Sequence, residues 1–156
     1  MNGKKEFHKK RILFVCSGNA CRSQIAEGWA HALGGDQIEA FSAGVEAHGM
    51  DPFAVTVMAE AGVDISRQRS KSLSVLPDFQ FDYVVTLSER ATQYIRSLSV
   101  PIPIVAVPCE SPVRRSVGSV PSLSHYRRIR DEIYTDVYTL LGQILRKNRR
   151  PAIAFS

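Results

Sequence analysis

Cys16 and Arg22 are separated by five residues in the segment CSGNACRS, and this pair can bind and attack a tetrahedral oxyanion. A short loop of this kind can surround an oxyanion with backbone N–H groups, and a helix that follows adds positive potential from its N-terminus. The same surroundings favour the thiolate of Cys16, which is the nucleophilic form of cysteine. The planar guanidinium of Arg22 can hold two oxyanion oxygens and stabilise charge in the transition state.

The residues between Cys16 and Arg22 are suited to a tight anion-binding turn. Gly18 and Asn19 tolerate left-handed backbone conformations, and Ser23 can donate its hydroxyl to the Cys16 sulfur. Other phosphate-binding motifs, GxxxxGK[ST] and GxGxxG, are absent. The alternative is that Cys16 is an ordinary buried cysteine beside a turn without function. The predicted oxyanion-binding residues are Ser17, Gly18, Asn19, Ala20, Cys21 and Arg22.

Short apolar runs alternate along the chain with segments of helical spacing, which is typical of βαβ units. Three of the four strand candidates are apolar nearly throughout, as in a parallel sheet that is covered on both faces. The Cx5R segment then lies at the junction of the first strand and the first helix, where such a site belongs. The predicted strands are 11–16, 38–42, 82–87 and 103–107.

Four helices are predicted, at 22–33, 52–61, 88–97 and 123–147. The second is bounded by Asp51 as N-cap, Pro52 at the first helical position and Gly62 just past its end. The fourth carries an apolar stripe spaced by threes and fours, which predicts packing on the sheet. The Pro-rich loop 108–122 follows the last strand, and loops at this edge of a parallel sheet hold ligand sites.

Composition places the chain among ordinary globular proteins. Its 156 residues, 44% hydrophobic and 22% charged, predict a basic tail at 1–10, one domain at 11–147 and a C-terminal tail at 148–156. Without an apolar run of about 18 residues or a secretory signal, a membrane protein is excluded and a cytoplasmic location is expected. An odd number of cysteines, three, argues against a disulfide framework.

The net charge of +5 comes largely from basic residues near both ends of the chain. No aromatic residues interleave with these clusters and no nucleic-acid motif accompanies them, so specific nucleic-acid binding is not expected. The histidines and cysteines lack the spacing of a zinc site, and no metal is expected.

Three segments, VCSGNACRSQIAEGWA, FSAGVEAHGMDPFAV and AGVDISRQRSKSL, closely resemble the arsenate reductases built on the low-molecular-weight tyrosine phosphatase fold. The resemblance runs from about 11 to 112 and resumes at 126–133, and the EAHG and VVTL sequences lean toward the reductases. It implies an α/β three-layer sandwich, in which a four-stranded parallel sheet has helices on both faces. It also implies that Cys16 attacks arsenate or a phosphoryl group, that Arg22 stabilises the transition state, that Ser23 stabilises the thiolate, and that Asn19 and Ser42 hold the loop's shape.

The chain departs from the resemblance at the residues that resolve the arseno-cysteine. Thioredoxin-coupled relatives use two further cysteines just after the VVTL strand, and those positions are Ser88 and Ile95 here. A resolving role then falls to Cys109, to Cys21 or to an external low-molecular-weight thiol with a glutaredoxin- or thioredoxin-type partner. Cys109 can equally be a structural hydrophobic residue at the end of a strand.

Two more positions differ from the family pattern. The family's general acid is an aspartate directly before a proline, but Ser111 precedes Pro112 here, which leaves neighbouring Glu110 as the candidate acid. Some relatives hold a monovalent cation beside the loop; Asn19, Glu27 and Ser42 match their ligands, but Lys71 replaces the aspartate. We expect its ammonium to replace the ion, with no bound metal or cofactor.

Three functions follow from these observations. The first is arsenate reduction to arsenite through Cys16 with a thiol donor. The second is hydrolysis of phosphotyrosine or another phosphomonoester through a phosphocysteine. The third is an oxyanion-binding domain whose catalysis has decayed. The ligand is accordingly arsenate, phosphate or a phosphorylated substrate.

Overall fold

Four parallel strands form one sheet in a computed structural model that describes residues 8–76, 78–112 and 122–148. The strand order is β2-β1-β3-β4. The register places Cys16 beside Gly44, and Val15 beside Thr86, so the carboxyl ends of the central strands lie at one edge. The strands are β1 (Lys10–Cys16), β2 (Ile38–Gly44), β3 (Tyr83–Thr86) and β4 (Ile104–Ala106).

Four helices that lie wholly within the described residues accompany the sheet, and two of them begin at residues whose side chains cap them. Asp51 caps the second helix, since its Oδ1 accepts a hydrogen bond from the Phe53 N–H at 2.9 Å. Ser88 caps the third, since its Oγ accepts from the Ala91 N–H at 3.1 Å. The helices are α1 (Arg22–Gly34), α2 (Pro52–Glu60), α3 (Glu89–Ser97) and α4 (Leu123–Asn148).

Both faces of the sheet are buried, which confirms the predicted α/β sandwich. On β1, Ile12 and Phe14 face a core that contains buried residues of α1, α2 and α4. Leu13 and Val15 face a second core, to which α3 contributes. Because each face is covered, β1 is apolar on both sides, and this is why the strand reads as one continuous apolar run.

Element boundaries differ from the predictions by one or two residues. β1 begins at Lys10, which was assigned to the tail, because Lys10 pairs with Ile38. β2 extends to Gly44, while β3 and β4 are each shorter than predicted by one residue at both ends. Ser88, predicted to be helical, is instead the N-cap of α3. Three predicted segments lie outside the described residues: both chain ends, 1–7 and 149–156, and positions 113–121 of the predicted loop, which include Arg114 and Arg115.

No helix within the described ranges is both long enough and apolar enough to cross a membrane.

Candidate active site

A cleft of about 670 Å³ opens at the carboxyl edge of the sheet, above the end of β1. All three cysteines lie on its wall, together with the loop between β1 and α1 and the loop that follows β4. Its lining residues are Cys16, Ser17, Gly18, Ala20, Cys21, Arg22, His48, Asp51, Ser88, Glu89, Arg90, Pro108, Cys109, Glu110, Ser111 and Pro112.

The carbonyl groups of Cys16 and of three residues in the loop between β1 and α1 are bonded within the chain. All four accept hydrogen bonds from backbone N–H groups of the segment that follows β2. In a trans peptide the carbonyl and the next N–H point in opposite directions, so the amides that follow these carbonyls point away from that segment. The four bonds are Val45 N to Cys16 O at 3.1 Å, Glu46 N to Ser17 O at 2.9 Å, His48 N to Gly18 O at 2.9 Å, and Asp51 N to Ala20 O at 3.0 Å.

Cys16 lies at the end of β1, and only 2% of it is exposed. Its Sγ lies 2.9 Å from Ser23 Oγ and accepts a hydrogen bond from the Asn19 N–H at 3.3 Å. The sulfur therefore has two hydrogen-bond partners, one in the anion-binding loop and one in the first turn of α1.

The side chain of Asn19 determines which way the Ser23 hydroxyl points. Asn19 is fully buried and has a left-handed backbone, with φ of 50°. Its Nδ2 donates to Ser23 Oγ at 2.7 Å and to Ser42 Oγ at 3.0 Å. Ser23 Oγ thus accepts one hydrogen bond from Asn19 and keeps its own proton, which it can donate to the Cys16 sulfur. Asn19 and Ser42 are thus in contact, as the resemblance implies.

Glu27 and Lys71 lie next to this network. Ser42 Oγ donates to Glu27 Oε1 at 2.6 Å, and Lys71 donates from its backbone N–H to Asn19 Oδ1 at 2.8 Å. The Lys71 ammonium donates to the Arg69 carbonyl at 2.9 Å, and burial lowers the pKa of Lys71 while the charge of Glu27 opposes that shift. Replacement of a cation by Lys71 stays a prediction.

Arg22 connects the anion-binding loop to the loop that follows β4. Its Nη1 donates to the Cys109 carbonyl at 2.9 Å and lies 3.5 Å from the Leu87 carbonyl. Glu110, the candidate acid, is exposed and lines the same cleft. The structure therefore brings the candidate nucleophile, arginine and acid to one cavity.

The two candidate resolving cysteines differ in their surroundings. Cys21 is buried, and burial raises the pKa of its thiol well above the usual value, with the negative charge of Asp51 adding to the shift. Cys109 is half-buried on the opposite wall of the cleft. The two positions at which the resemblance implies relay cysteines are also separated. Ser88 lines the cleft with its Oγ 3.1 Å from Ser17 Oγ, whereas Ile95 is fully buried in the second core.

Sequence reasoning missed four lining residues that come from distant parts of the chain. The His48 ring packs on Gly18 so closely that a Cβ there would lie 2.4 Å from Nδ1. Glu46 accepts hydrogen bonds from both His48 and Arg90. The EAHG sequence marks His48 in the resemblance, but no spacing rule identifies the others. The missed residues are His48, Asp51, Glu89 and Arg90.

Comparison with known proteins identifies the family. The sequence pattern of the low molecular weight phosphotyrosine protein phosphatases matches residues 11–104. The chain belongs to this phosphatase family. Within the family, it is 39% identical over 126 residues to an arsenate reductase of Halalkalibacterium halodurans, covering 81% of this chain and 91% of the relative.

Solved structures of family members agree with the architecture. An arsenate reductase in the phosphate binding state superposes with a TM-score of 0.70 at 29% identity, covering 86% of this chain and 98% of that one. A low molecular weight protein tyrosine phosphatase from T. tengcongensis superposes with a TM-score of 0.71 at 30% identity, covering 86% and 99%. The solved structures similar to this chain therefore include both arsenate reductases and phosphatases.

Proposed function

We propose that this member of the phosphatase family is a thiol-dependent arsenate reductase in which Cys16 is the nucleophile. The observation that carries the proposal is the contact of the Cys16 sulfur with the Ser23 hydroxyl, whose oxygen also accepts from the Asn19 amide. The 39% identity to an arsenate reductase supports arsenate as the substrate. The loop amides and Arg22 offer donors for the oxygens of such an ion.

In the first step, the Cys16 thiolate attacks arsenic and an S–As bond forms. One As–O bond breaks with its electron pair going to oxygen, so the departing oxygen needs a proton to leave as water. Ser111 is too weak an acid for this role, and Glu110 is the neighbouring carboxyl group on the cleft wall. We therefore assign the proton transfer to Glu110.

In the second step, another thiolate attacks the Cys16 sulfur. An S–S bond forms, the S–As electron pair goes to arsenic, and arsenic leaves as arsenite. Each of the two sulfurs loses one electron and arsenic gains two, so no bound cofactor is needed. With Ser88 and Ile95 in place of relay cysteines, Cys109, Cys21 or an external low-molecular-weight thiol supplies the second sulfur. A thioredoxin- or glutaredoxin-type protein would then reduce the disulfide.

A phosphomonoesterase is the second candidate function, and the two missing relay cysteines favour it. Hydrolysis of a phosphocysteine needs Cys16, Arg22, an acid and water, but no second thiol. The 30% identity to the T. tengcongensis phosphatase supports this reading.

Thiol counting separates these functions. Fully reduced protein is incubated with arsenate alone, and free thiols and arsenite are measured by mass spectrometry, with Cys16→Ser as the control. Loss of two thiols with release of arsenite supports a reductase with an internal resolving cysteine. Arsenite that is formed only when glutathione is added supports the external thiol.

A further assay covers the remaining outcome, in which no arsenite forms under either condition. Hydrolysis of para-nitrophenyl phosphate that disappears in Cys16→Ser would then replace the reductase proposal with the phosphatase. Phosphate binding without any turnover would contradict both enzymes and leave an oxyanion-binding domain.

A further inference from the structure

Gln24 is a fully buried polar residue in the first turn of α1. It is neither the candidate nucleophile nor one of the predicted oxyanion-binding residues. Its Nε2 donates to Asn19 Oδ1 at 2.9 Å and to the Asn19 carbonyl at 3.1 Å. The same Nε2 lies 3.0 Å from the Arg69 carbonyl. A buried amide with this many acceptors around its nitrogen has a fixed orientation.

The orientation of Gln24 is itself determined by Gln68. Gln68 Nε2 donates to Gln24 Oε1 at 2.7 Å and to the Gln24 carbonyl at 3.1 Å. Because Gln24 Oε1 accepts from Gln68, Nε2 is the atom of the Gln24 amide that faces Asn19. The donors therefore run in one direction from Gln68 to Gln24, then to Asn19 and Ser23, whose hydroxyl can in turn donate to Cys16.

This direction matters because the Ser23 hydroxyl has a single proton. If the Asn19 amide turned over, its oxygen would face Ser23 and accept that proton, and Cys16 would lose the donor. The donors on Asn19 Oδ1 prevent this, and they are Gln24 Nε2 and the backbone N–H of Lys71. Only the first of them belongs to a side chain.

We propose that Gln24 is a positioning residue that, through Asn19, keeps the Ser23 hydroxyl available as a donor to the Cys16 sulfur. The inference rests on the proposed role of Cys16 as nucleophile. Gln24 is fully buried, so it acts through the proton of Ser23 and not by contact with the oxyanion. Gln68 supports the same direction from a half-buried position nearer the surface.

The test measures the thiolate of Cys16 without any substrate. The rate of Cys16 alkylation by iodoacetamide is followed against pH by peptide mass spectrometry, which separates Cys16 from the other cysteines. Gln24→Met keeps the side-chain length but removes both the donors and the acceptor. We expect the midpoint of the pH profile to rise by about half to one pH unit, a roughly three- to tenfold loss of thiolate at a fixed pH below it.

A double-mutant comparison distinguishes this role from a purely structural one. Ser23→Ala removes the hydroxyl through which Gln24 acts, so adding Gln24→Met to Ser23→Ala should leave the midpoint unchanged. Gln68→Met, in which Gln24 itself remains, is expected to raise the midpoint by less and provides a second readout if Gln24→Met folds poorly.

Two results would overturn the inference. One is an unchanged midpoint in both Gln24→Met and Gln68→Met while Ser23→Ala raises it. The other is a Gln24→Met shift that is equally large with and without Ser23. Because alkylation reports the thiolate directly, a protein without arsenate reductase activity can still pass or fail this test, and the two proposals remain separable.

Discussion

Arg22 Nη1 lies 2.9 Å from the carbonyl oxygen of Cys109, although 87 positions separate the two residues. This hydrogen bond joins the start of α1 to the loop that carries Glu110. A guanidinium has five N–H donors, so this contact leaves other donors available to an oxyanion in the cleft. Arg22 therefore holds the loop that follows β4, and we propose that its remaining donors bind the oxyanion.

Substituting Arg22→Lys should weaken transition-state stabilisation by about 2 to 4 kcal/mol, because lysine lacks the planar fork that binds two oxygens. Steady-state turnover with arsenate or with para-nitrophenyl phosphate measures the loss. Arg90→Lys is the matched control, since Arg90 lines the same cleft but pairs with Glu46. Equal losses in the two variants would refute the assignment of Arg22.

Substituting Glu110→Gln should reduce the rate of the first step by about 10² to 10⁴-fold, because the amide cannot donate a proton to the departing oxygen. Single-turnover kinetics measure this step. Glu89→Gln offers the control, since Glu89 is also exposed and lines the cleft. A Glu110→Gln protein as fast as its control would leave the acid unassigned.

The resolving cysteine should be Cys109 rather than Cys21 if the disulfide forms within the chain. Attack requires a thiolate, and burial keeps Cys21 as a thiol by raising its pKa. Cys109→Ser should therefore abolish the loss of two thiols after arsenate treatment, and Cys21→Ser should preserve it. A disulfide between Cys16 and Cys21, mapped by peptide mass spectrometry, is the contrary result.

Gly44→Ala should damage the anion-binding loop. A Cβ at Gly44 would lie 2.3 Å from the Glu46 carbonyl oxygen and 2.7 Å from the Asn19 nitrogen, and both are backbone atoms that cannot turn aside. We expect a loss of about 1 to 3 kcal/mol in the free energy of unfolding and weaker phosphate binding. Gly142→Ala is the control: its Cβ would have ordinary space in α4, where alanine favours the helix. Equal free energies of unfolding for the two variants would contradict the close packing around Gly44.

His31 should contribute a pH-dependent stability. A hydrogen bond from His31 to Glu27 raises the pKa of the imidazole from 6.5. A raised pKa in the folded state stabilises the protein below the unfolded value, and the contribution disappears as pH rises through the folded value. Because His31 is half exposed, we expect His31→Gln to lose less than about 1 kcal/mol in urea unfolding at pH 6 and almost nothing at pH 8.5. A loss of stability that does not change with pH would show that the titration of His31 does not contribute.

Local features of the sequence were sufficient for most of the architecture. Helix α2 was predicted well because Asp51 and Pro52 determine its start through local hydrogen bonding and backbone geometry. The strands were recognised because residues buried on both faces form unbroken apolar runs. The carboxyl end of β2 was not, because Gly44 joins the strand through its pairing with Cys16.

The candidate site was predictable only where its residues are close in sequence. Cys16, Asn19, Arg22 and Ser23 lie within eight positions, so their types and spacing indicate an oxyanion loop. Gln24 was missed although it is adjacent, because its role depends on contacts to Asn19 and Gln68 that appear only in the folded chain. His48 and Arg90 reach the cleft through packing of distant segments.

The hydrogen bonds of the loop carbonyls mean that the segment after β2, rather than a ligand, holds the shape of the loop. Ordering a disordered backbone segment of seven residues costs conformational entropy at every residue. The few contacts that an oxyanion of four oxygens can make would not offset that cost. Here that ordering occurs when the chain folds. Encounter between ion and loop can then be limited by diffusion and charge instead of by a rearrangement, and binding need not close the structure around its ligand.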